Sequence, residues 1–523
     1  MRPIDYFDRG VNKDPNGVFV KGTERSYKFS EAKDLTFKIA QGLSKKGFEK
    51  GDSVAVYAPN DPAAVVCIFS IFRASGIWIP VNTRNDVSSN AQYLTYVSTK
   101  WLFFHSSVIN EVKEIVPKLT EIKGIFCLDS SDTDFPYLEE IFSDYDEEFL
   151  SDQSDPFSSP EEIFSLWPTG GTTGPSKAVE MLNRNICAMY ELGLRHYIGA
   201  DTDDIVYLAV APITHAAGVI IPIFTAVAGT TLLLPSFDPE EVLQTIESKK
   251  VTHIFLPPTA FYALLDVASN LKTDTSSLRQ ILLGASPVSP DKMKQGVDTF
   301  GPVICQCYGQ VEVPMLISWL SPEHVSDACQ GNHPERLKSC GRVTSPTLVS
   351  ILDKEGNTMP TGQEGEICCR GSLVTRAYYR NEEATKEARR FGWHHTGDIG
   401  YLDRDGFLYI VDRIKDMIIT GGFNVYATEI EKSILAHEEI LECAVIGVPD
   451  AKWGEAVKAI AVRHSGKIIT EEKLIVAIKE ALGSVKTPKS IEFWESLPKT
   501  AVGKVDKKLI RERFWKKKSR NVN

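Results

Sequence analysis

Residues 169–179 read TGGTTGPSKAV, so three glycines, three threonines and one lysine fall within nine consecutive positions. That composition suits a phosphate. Glycine lets backbone amides approach an anion closely, threonine hydroxyls donate to its oxygens or contact a magnesium ion, and Lys177 supplies positive charge. The stretch is not a Walker A loop, which ends in Gly-Lys-Ser/Thr. On composition alone a flexible surface loop is the competing reading.

Further along stand PITHAAG (212–218), GASP (284–287), QCYGQVE (306–312), WHHTGDIG (393–400), DRIKDMIITGGFNVYATEIE (412–431) and PKTAVGKVDKKLIR (498–511). Taken singly these are weak. A lone histidine in an apolar run is more often a satisfied core residue, Tyr308 alone would more often be core, and Lys504 is by composition one of many tail lysines. In this order, over more than 330 residues, they resemble the motifs of the adenylate-forming superfamily of acyl-CoA synthetases, peptide-synthetase adenylation domains and luciferases.

The resemblance implies roles that the side-chain chemistry can fill. Thr169, Gly170, Gly171, Thr172, Thr173, Gly174 and Lys177 cradle the phosphates of ATP, and Thr172 with Glu312 contacts Mg2+, a hard cation that prefers oxygen donors. Gly284, Ala285, Ser286, Gln306, Tyr308 and Gly309 surround adenine, with Tyr308 stacking on the ring. Asp398 accepts from both ribose hydroxyls, and Arg413 donates to ribose or phosphate oxygens. His215 borders the acyl pocket, and Lys504 is the mobile catalytic lysine bridging carboxylate and α-phosphate. Lys415 is the hinge, and Gly421 and Gly422 let backbone approach the pantetheine arm of coenzyme A.

The chemistry explains the convergence of these residue types. A carboxylate is a poor acyl donor, so it must first attack the α-phosphorus of ATP, and two anions must meet; preorganised positive charge offsets their repulsion. Some positions depart from the pattern. Val311 replaces a threonine, forfeiting a contact of roughly 1 kcal/mol if that hydrogen bond is neutral. Ser176 and Ala178 replace proline and glycine, and Asn183 replaces a histidine.

The elements that must position these residues alternate between helix and strand. Ser30 precedes Ala32, Leu35, Ile39 and Leu43 at helical spacing, SVAVYA from Ser53 and IWIPV from Ile77 read as strands, and Pro62–Ser75 as an apolar helix. DIVYLAV, THIFLPP and QILLGAS, starting at 204, 252 and 280, read as buried parallel strands, at whose carboxyl ends ligand loops gather. After Thr361 short strands and tight turns indicate a β-rich subdomain, and from Asp416 a compact segment follows in which Thr428 and Glu431 form a capping box. A further helix follows Thr470. The expected fold is α/β: a large N-terminal domain, 1–411, of two α/β sheets plus the β-rich subdomain, a hinge at 412–415, and a small mobile α+β C-terminal domain, 416–523.

Composition limits the function classes. Lys plus Arg number 58 against 69 Asp plus Glu, and a net charge of -11 repels nucleic acid. The basic tail, 504–520, reads as a solvated terminal helix. Ten scattered cysteines without paired CxxC motifs argue against zinc and for reduced thiols. The first ten residues lack a secretory apolar run, which points to the cytoplasm. Residues 216–236 carry no charge, but Pro222, Gly229 and Pro235 divide them into a buried helix, 219–228, and a strand, 230–234, so no transmembrane span is expected.

The expected activity is therefore a free-standing AMP-forming acid–thiol ligase of fatty or aryl acid metabolism: acyl-AMP formation with pyrophosphate release, then transfer to coenzyme A. An amine or a carrier-protein thiol is the alternative acceptor. A nucleotide-binding protein without turnover has only Val311 in its favour. The partners are a carboxylic acid, ATP and coenzyme A, with self-association as a homodimer left open. Small or apolar pocket walls near His215, Val219, Gly284 and Gly309 suit an aryl or aliphatic tail of unspecified length.

Overall fold

The computed structural model describes residues 1–142, 158–169, 177–500 and 504–515. The chain divides into two compact units, one formed by 1–348 with 369–389, the other by 349–368 with 390–523.

Two sheets organise the first unit. The nine-stranded sheet runs in the order 342–343, 318–320, 304–308, 280–283, 253–256, 206–209, 230–233, 18–21, 26–28. Its inner strands Ile304–Tyr308, Gln280–Leu283, His253–Leu256, Val206–Ala209 and Thr230–Leu233 are parallel and almost wholly buried, as suits their mostly apolar sequences. The six-stranded sheet runs 124–127, 101–104, 53–57, 77–81, 163–168, 178–182. Helix Pro62–Arg73, buried on every side, begins where Asp61 accepts from Ala63 N at 2.8 Å.

Two expected elements differ. The early helix starts at Phe29, not after Ser30, because Glu31 reaches back to Lys28 N at 2.8 Å and fixes the start there. The helix expected over 219–228 is two short ones, Ala216–Val219 and Ile221–Thr225, since Pro222 has no amide to continue the first. Strand Thr230–Leu233 follows as expected, and among the described residues no helix is long and apolar enough to cross a membrane.

In the second unit a four-stranded sheet runs 347–352, 365–371, 394–402, 408–413. A five-stranded sheet is built on the long antiparallel pair Ile440–Asp450 and Gly454–Arg463. Side chains of a strand alternate between faces, and this pair feeds two cores. Val445, Ala459 and Ala461 pack with helices Ala427–Leu435 and Glu471–Leu482. Ala444, Ile446, Ile460 and Val462 pack with Ile510 of helix Lys507–Trp515.

That last helix corrects the solvated reading of the tail. Ile510 is fully buried, Lys507 pairs with Glu431 at 2.6 Å, and Trp515 Nε1 donates to Gly447 O at 2.9 Å. The Thr428–Glu431 capping box is also absent. Glu431 instead accepts from Val445 N at 2.7 Å, and Thr428 bonds Asp412.

Candidate active site

In the first unit the candidate residues lie at carboxyl ends of strands. Thr169 and Lys177 close the hairpin of strands Ile163–Pro168 and Ala178–Leu182, with Thr169 N donating to Lys177 O at 2.9 Å. The candidates between them, Gly170, Gly171, Thr172, Thr173 and Gly174, lie outside the described residues. Trp167, in strand Ile163–Pro168, meets the His215 ring edge to face, centroids 6.2 Å apart. His215 Nδ1 accepts from Ala216 N at 2.8 Å, capping the short helix and assigning the ring proton of the neutral form to Nε2. Gly218 makes this turn possible, because a Cβ there would stand 1.6 Å from Ile213 O.

Gly284 is buried against Cys307 Sγ, which a Cβ would meet at 3.1 Å, and Ala285 takes a left-handed φ of 72°. A non-glycine residue there is strained, and such strain concentrates at binding sites. Ala285 and Ser286 are exposed. Gln306 is buried on the neighbouring strand with no hydrogen-bond partner for its Oε1 among the described residues, a polar atom that a ligand can satisfy. Tyr308 ends that strand half-buried. Gly309 tolerates no side chain, since a Cβ would lie 2.5 Å from the Met315 backbone.

The loop after Gly309 carries Glu312, where partners not evident in the sequence appear. Its carbonyl accepts from Thr375 N at 3.0 Å and Thr375 Oγ1 at 2.9 Å, and its Oε1 accepts from Tyr378 Oη at 2.7 Å. Lys177 Nζ lies 4.8 Å from the centre of the Tyr378 ring. Burial first, and the Glu312 carboxylate second, hold the Tyr378 phenol well above its ordinary pKa, so it remains a donor. The fold thus brings Lys177, Tyr378 and Glu312 together. The only cue to Tyr378 was a pair of tyrosines in RAYYRN, with nothing in its spacing to link it to a glutamate 66 residues earlier.

In the second unit Asp398 and Arg413 are direct partners across antiparallel strands, Nε to Oδ1 3.2 Å. Lys504 joins them. Its amide donates to Thr500 Oγ1 at 3.2 Å and its carbonyl accepts from Thr500 N at 2.7 Å. Desolvation, Arg413 and Lys415 lower the Lys504 ammonium to about 8, with Asp398 opposing. Lys415 is likewise shifted down, by desolvation and then by Arg413.

Gly421 and Gly422 form the two-residue turn between strands Ile418–Thr420 and Phe423–Val425, with φ of 58° and 82°. Two successive positive φ values are what a type I′ hairpin demands. Gly421 N donates to Trp453 O at 2.9 Å.

One group of metal-type donors occurs among the described residues: Glu366, Cys368 and His395. Its atoms already serve one another. His395 Nδ1 meets Glu366 Oε2 at 2.7 Å, His395 Nε2 meets Arg390 O at 3.1 Å, and Gly397 N donates to Glu366 Oε1 at 3.0 Å.

The profile of the AMP-binding enzyme family matches residues 7–379, and that of the AMP-binding enzyme C-terminal domain matches 429–504. A medium/long-chain-fatty-acid–CoA ligase, FadD8, of Mycobacterium tuberculosis is 38% identical over 371 residues, 69% of this chain and 63% of that protein. A feruloyl-CoA synthase of an Amycolatopsis species is 31% identical over 513 residues, 97% of this chain and 98% of the relative. Among solved structures, the amide bond synthetase McbA of Marinactinospora thermotolerans superposes with a TM-score of 0.86 at 26% identity, covering 98% of this chain and 100% of that one. The chain belongs to the AMP-binding enzyme family and is an adenylate-forming ligase.

Proposed function

We propose that this ligase activates an apolar carboxylic acid as its acyl-adenylate through the residues just described, then passes the acyl group to coenzyme A. The observation that carries the assignment of groups is the direct pairing of Asp398 with Arg413, within electrostatic range of Lys504. That pair suits ribose and phosphate oxygens, and the tail lysine whose charge it influences is desolvated enough to be shifted.

In the first half-reaction the carboxylate oxygen attacks the α-phosphorus, the bond to the β-phosphate oxygen breaks, and pyrophosphate leaves. Lys504 in its ammonium form stabilises the charge shared by carboxylate and α-phosphate. Lys177 holds the leaving phosphates, Asp398 and Arg413 fix the nucleoside, and His215 borders the acid. The Glu312 carboxylate, a hard oxygen donor held by Tyr378 on a backbone held by Thr375, fits Mg2+, which when bound would neutralise phosphate charge and orient the leaving group. Gly284 and Tyr308, at the carboxyl ends of neighbouring parallel strands, support an adenine slot, with Gln306 Oε1, unpaired among the described residues, as an acceptor for it.

For the second half-reaction the segment 416–523 turns about 412–415, withdrawing Lys504 and bringing the Gly421–Gly422 turn to the acyl-adenylate. The thiol displaces AMP at the acyl carbon. Relatives named for feruloyl and fatty acids support an aryl or aliphatic acid. Ten free thiols support a reducing compartment such as the cytoplasm. The deciding experiment is a carboxylate panel with ATP and Mg2+, scored by pyrophosphate release and by mass spectrometry of the thioester. ADP as the main nucleotide product would overturn adenylation. Amides formed in preference to thioesters would transfer the assignment to an amine acceptor, the activity for which the McbA structure is named.

A further inference from the structure

The segment that carries Tyr378 is bound to the same strand that follows Lys177. Val179 and Tyr378 form an antiparallel bridge, and Tyr379 N donates to Ala178 O at 2.8 Å. Tyr378 N in turn donates to Thr385 Oγ1 at 3.0 Å. From this fixed base the tyrosine acts in two directions. Its hydroxyl reaches Glu312 Oε1, and its ring lies under Lys177 Nζ.

We propose that Tyr378 is a positioning residue that presets the Glu312 carboxylate for the metal and seats Lys177 for the phosphates. This rests on the reading of Glu312 as the magnesium ligand. A glutamate side chain has three free torsions, and a metal that must order them loses affinity to that entropy. Thr375 fixes the carbonyl end of Glu312 and Tyr378 its carboxylate end, so the rotamer is chosen before the cation arrives. A neutral phenol does this without bringing a competing positive charge. It occupies one acceptor position of a carboxylate that has about four. The ring face attracts the ammonium through its quadrupole, giving Lys177 a seat that does not neutralise it, as a carboxylate partner would.

The two directions separate by substitution. Tyr378→Phe keeps the ring and removes the hydroxyl; Tyr378→Leu removes both. Calorimetric binding of a non-hydrolysable ATP analogue, titrated at a series of Mg2+ concentrations, reads the contact without turnover. Tyr378→Phe should raise the half-saturating Mg2+ by roughly threefold to tenfold, the size of one net hydrogen bond, with nucleotide affinity in chelator and melting temperature unchanged. Tyr378→Leu should also weaken the metal-free affinity. Glu312→Gln is the control, and should largely abolish the Mg2+ dependence. If Glu312→Gln leaves that dependence intact, the magnesium assignment itself fails. If Glu312→Gln shifts it and Tyr378→Phe does not, the role of Tyr378 is overturned while Glu312 stands. A Tyr378→Phe protein that does not fold, or melts far lower, overturns it too, by showing the contact to be structural.

Discussion

Asp412 receives Thr428 twice, from the hydroxyl at 3.0 Å and from the backbone amide at 3.2 Å. The pair spans the proposed hinge, since Asp412 is the penultimate residue of a strand of the four-stranded sheet and Thr428 lies in the first turn of a helix of the C-terminal segment. A rotation about 412–415 must break it, so the pair favours the arrangement in which Lys504 stands beside Arg413. Thr428→Val removes the hydroxyl at nearly constant volume. A hydrogen bond to a charged group contributes about 1.5–3 kcal/mol, and its loss should slow adenylation while sparing thioester transfer from supplied acyl-AMP. Single-turnover assays of the two halves check this; equal losses would mean that the pair only stabilises the fold.

Lys504→Ala should slow adenylation by roughly a hundredfold or more, with thioester transfer retained, because the contact is made in the adenylation transition state. The pH profile is a sharper test. The cationic form is the one required, so with an ammonium lowered to about 8 the kcat/KM for ATP should be full below pH 8 and fall as pH rises through it. Lys504→Arg should keep its residual activity to higher pH. A wild-type plateau extending to pH 10 would show that another group supplies the charge.

Val311→Thr should be tolerated and tighten ATP binding modestly, since it nearly conserves volume and adds one hydroxyl in the glutamate loop. The KM for ATP reads the change. Loss of activity would mean that this loop meets the phosphates differently from the pattern it resembles.

Lys415→Pro should depress thioester formation far more than adenylation, because proline fixes φ near −65° at the proposed pivot. Lys415 lies in a 3₁₀ turn, Ile414–Asp416, whose φ range accepts proline. Proline also disfavours helical geometry at Ile414, so a smaller loss in the first half-reaction is expected. Separate rates for the two halves decide whether Lys415 is a pivot or a surface lysine.

How much of this was legible in the sequence follows from the range of each interaction. Pro62–Arg73 and the parallel strands at 206, 253 and 280 were readable because a mostly apolar run over such lengths has to be buried. The Gly421–Gly422 pair was singled out by the resemblance and not read as a hairpin; the structure uses it as one because only glycine enters two successive left-handed conformations without cost. The family could be read from the order of motifs, because each is a short segment whose chemistry lies in adjacent residues. Partners contributed by distant segments were not readable. Local spacing at Thr428 and Glu431 pointed to a capping box, but a carboxylate at 412 and an amide at 445 supplied other partners, and tertiary pairing overrode the local option. Neither the phenol of Tyr378 against Glu312 nor the shifted ammonium of Lys504 beside Arg413 leaves a trace in spacing. Burial and neighbouring charge set both, and they exist only once the chain has brought together segments that the sequence keeps apart.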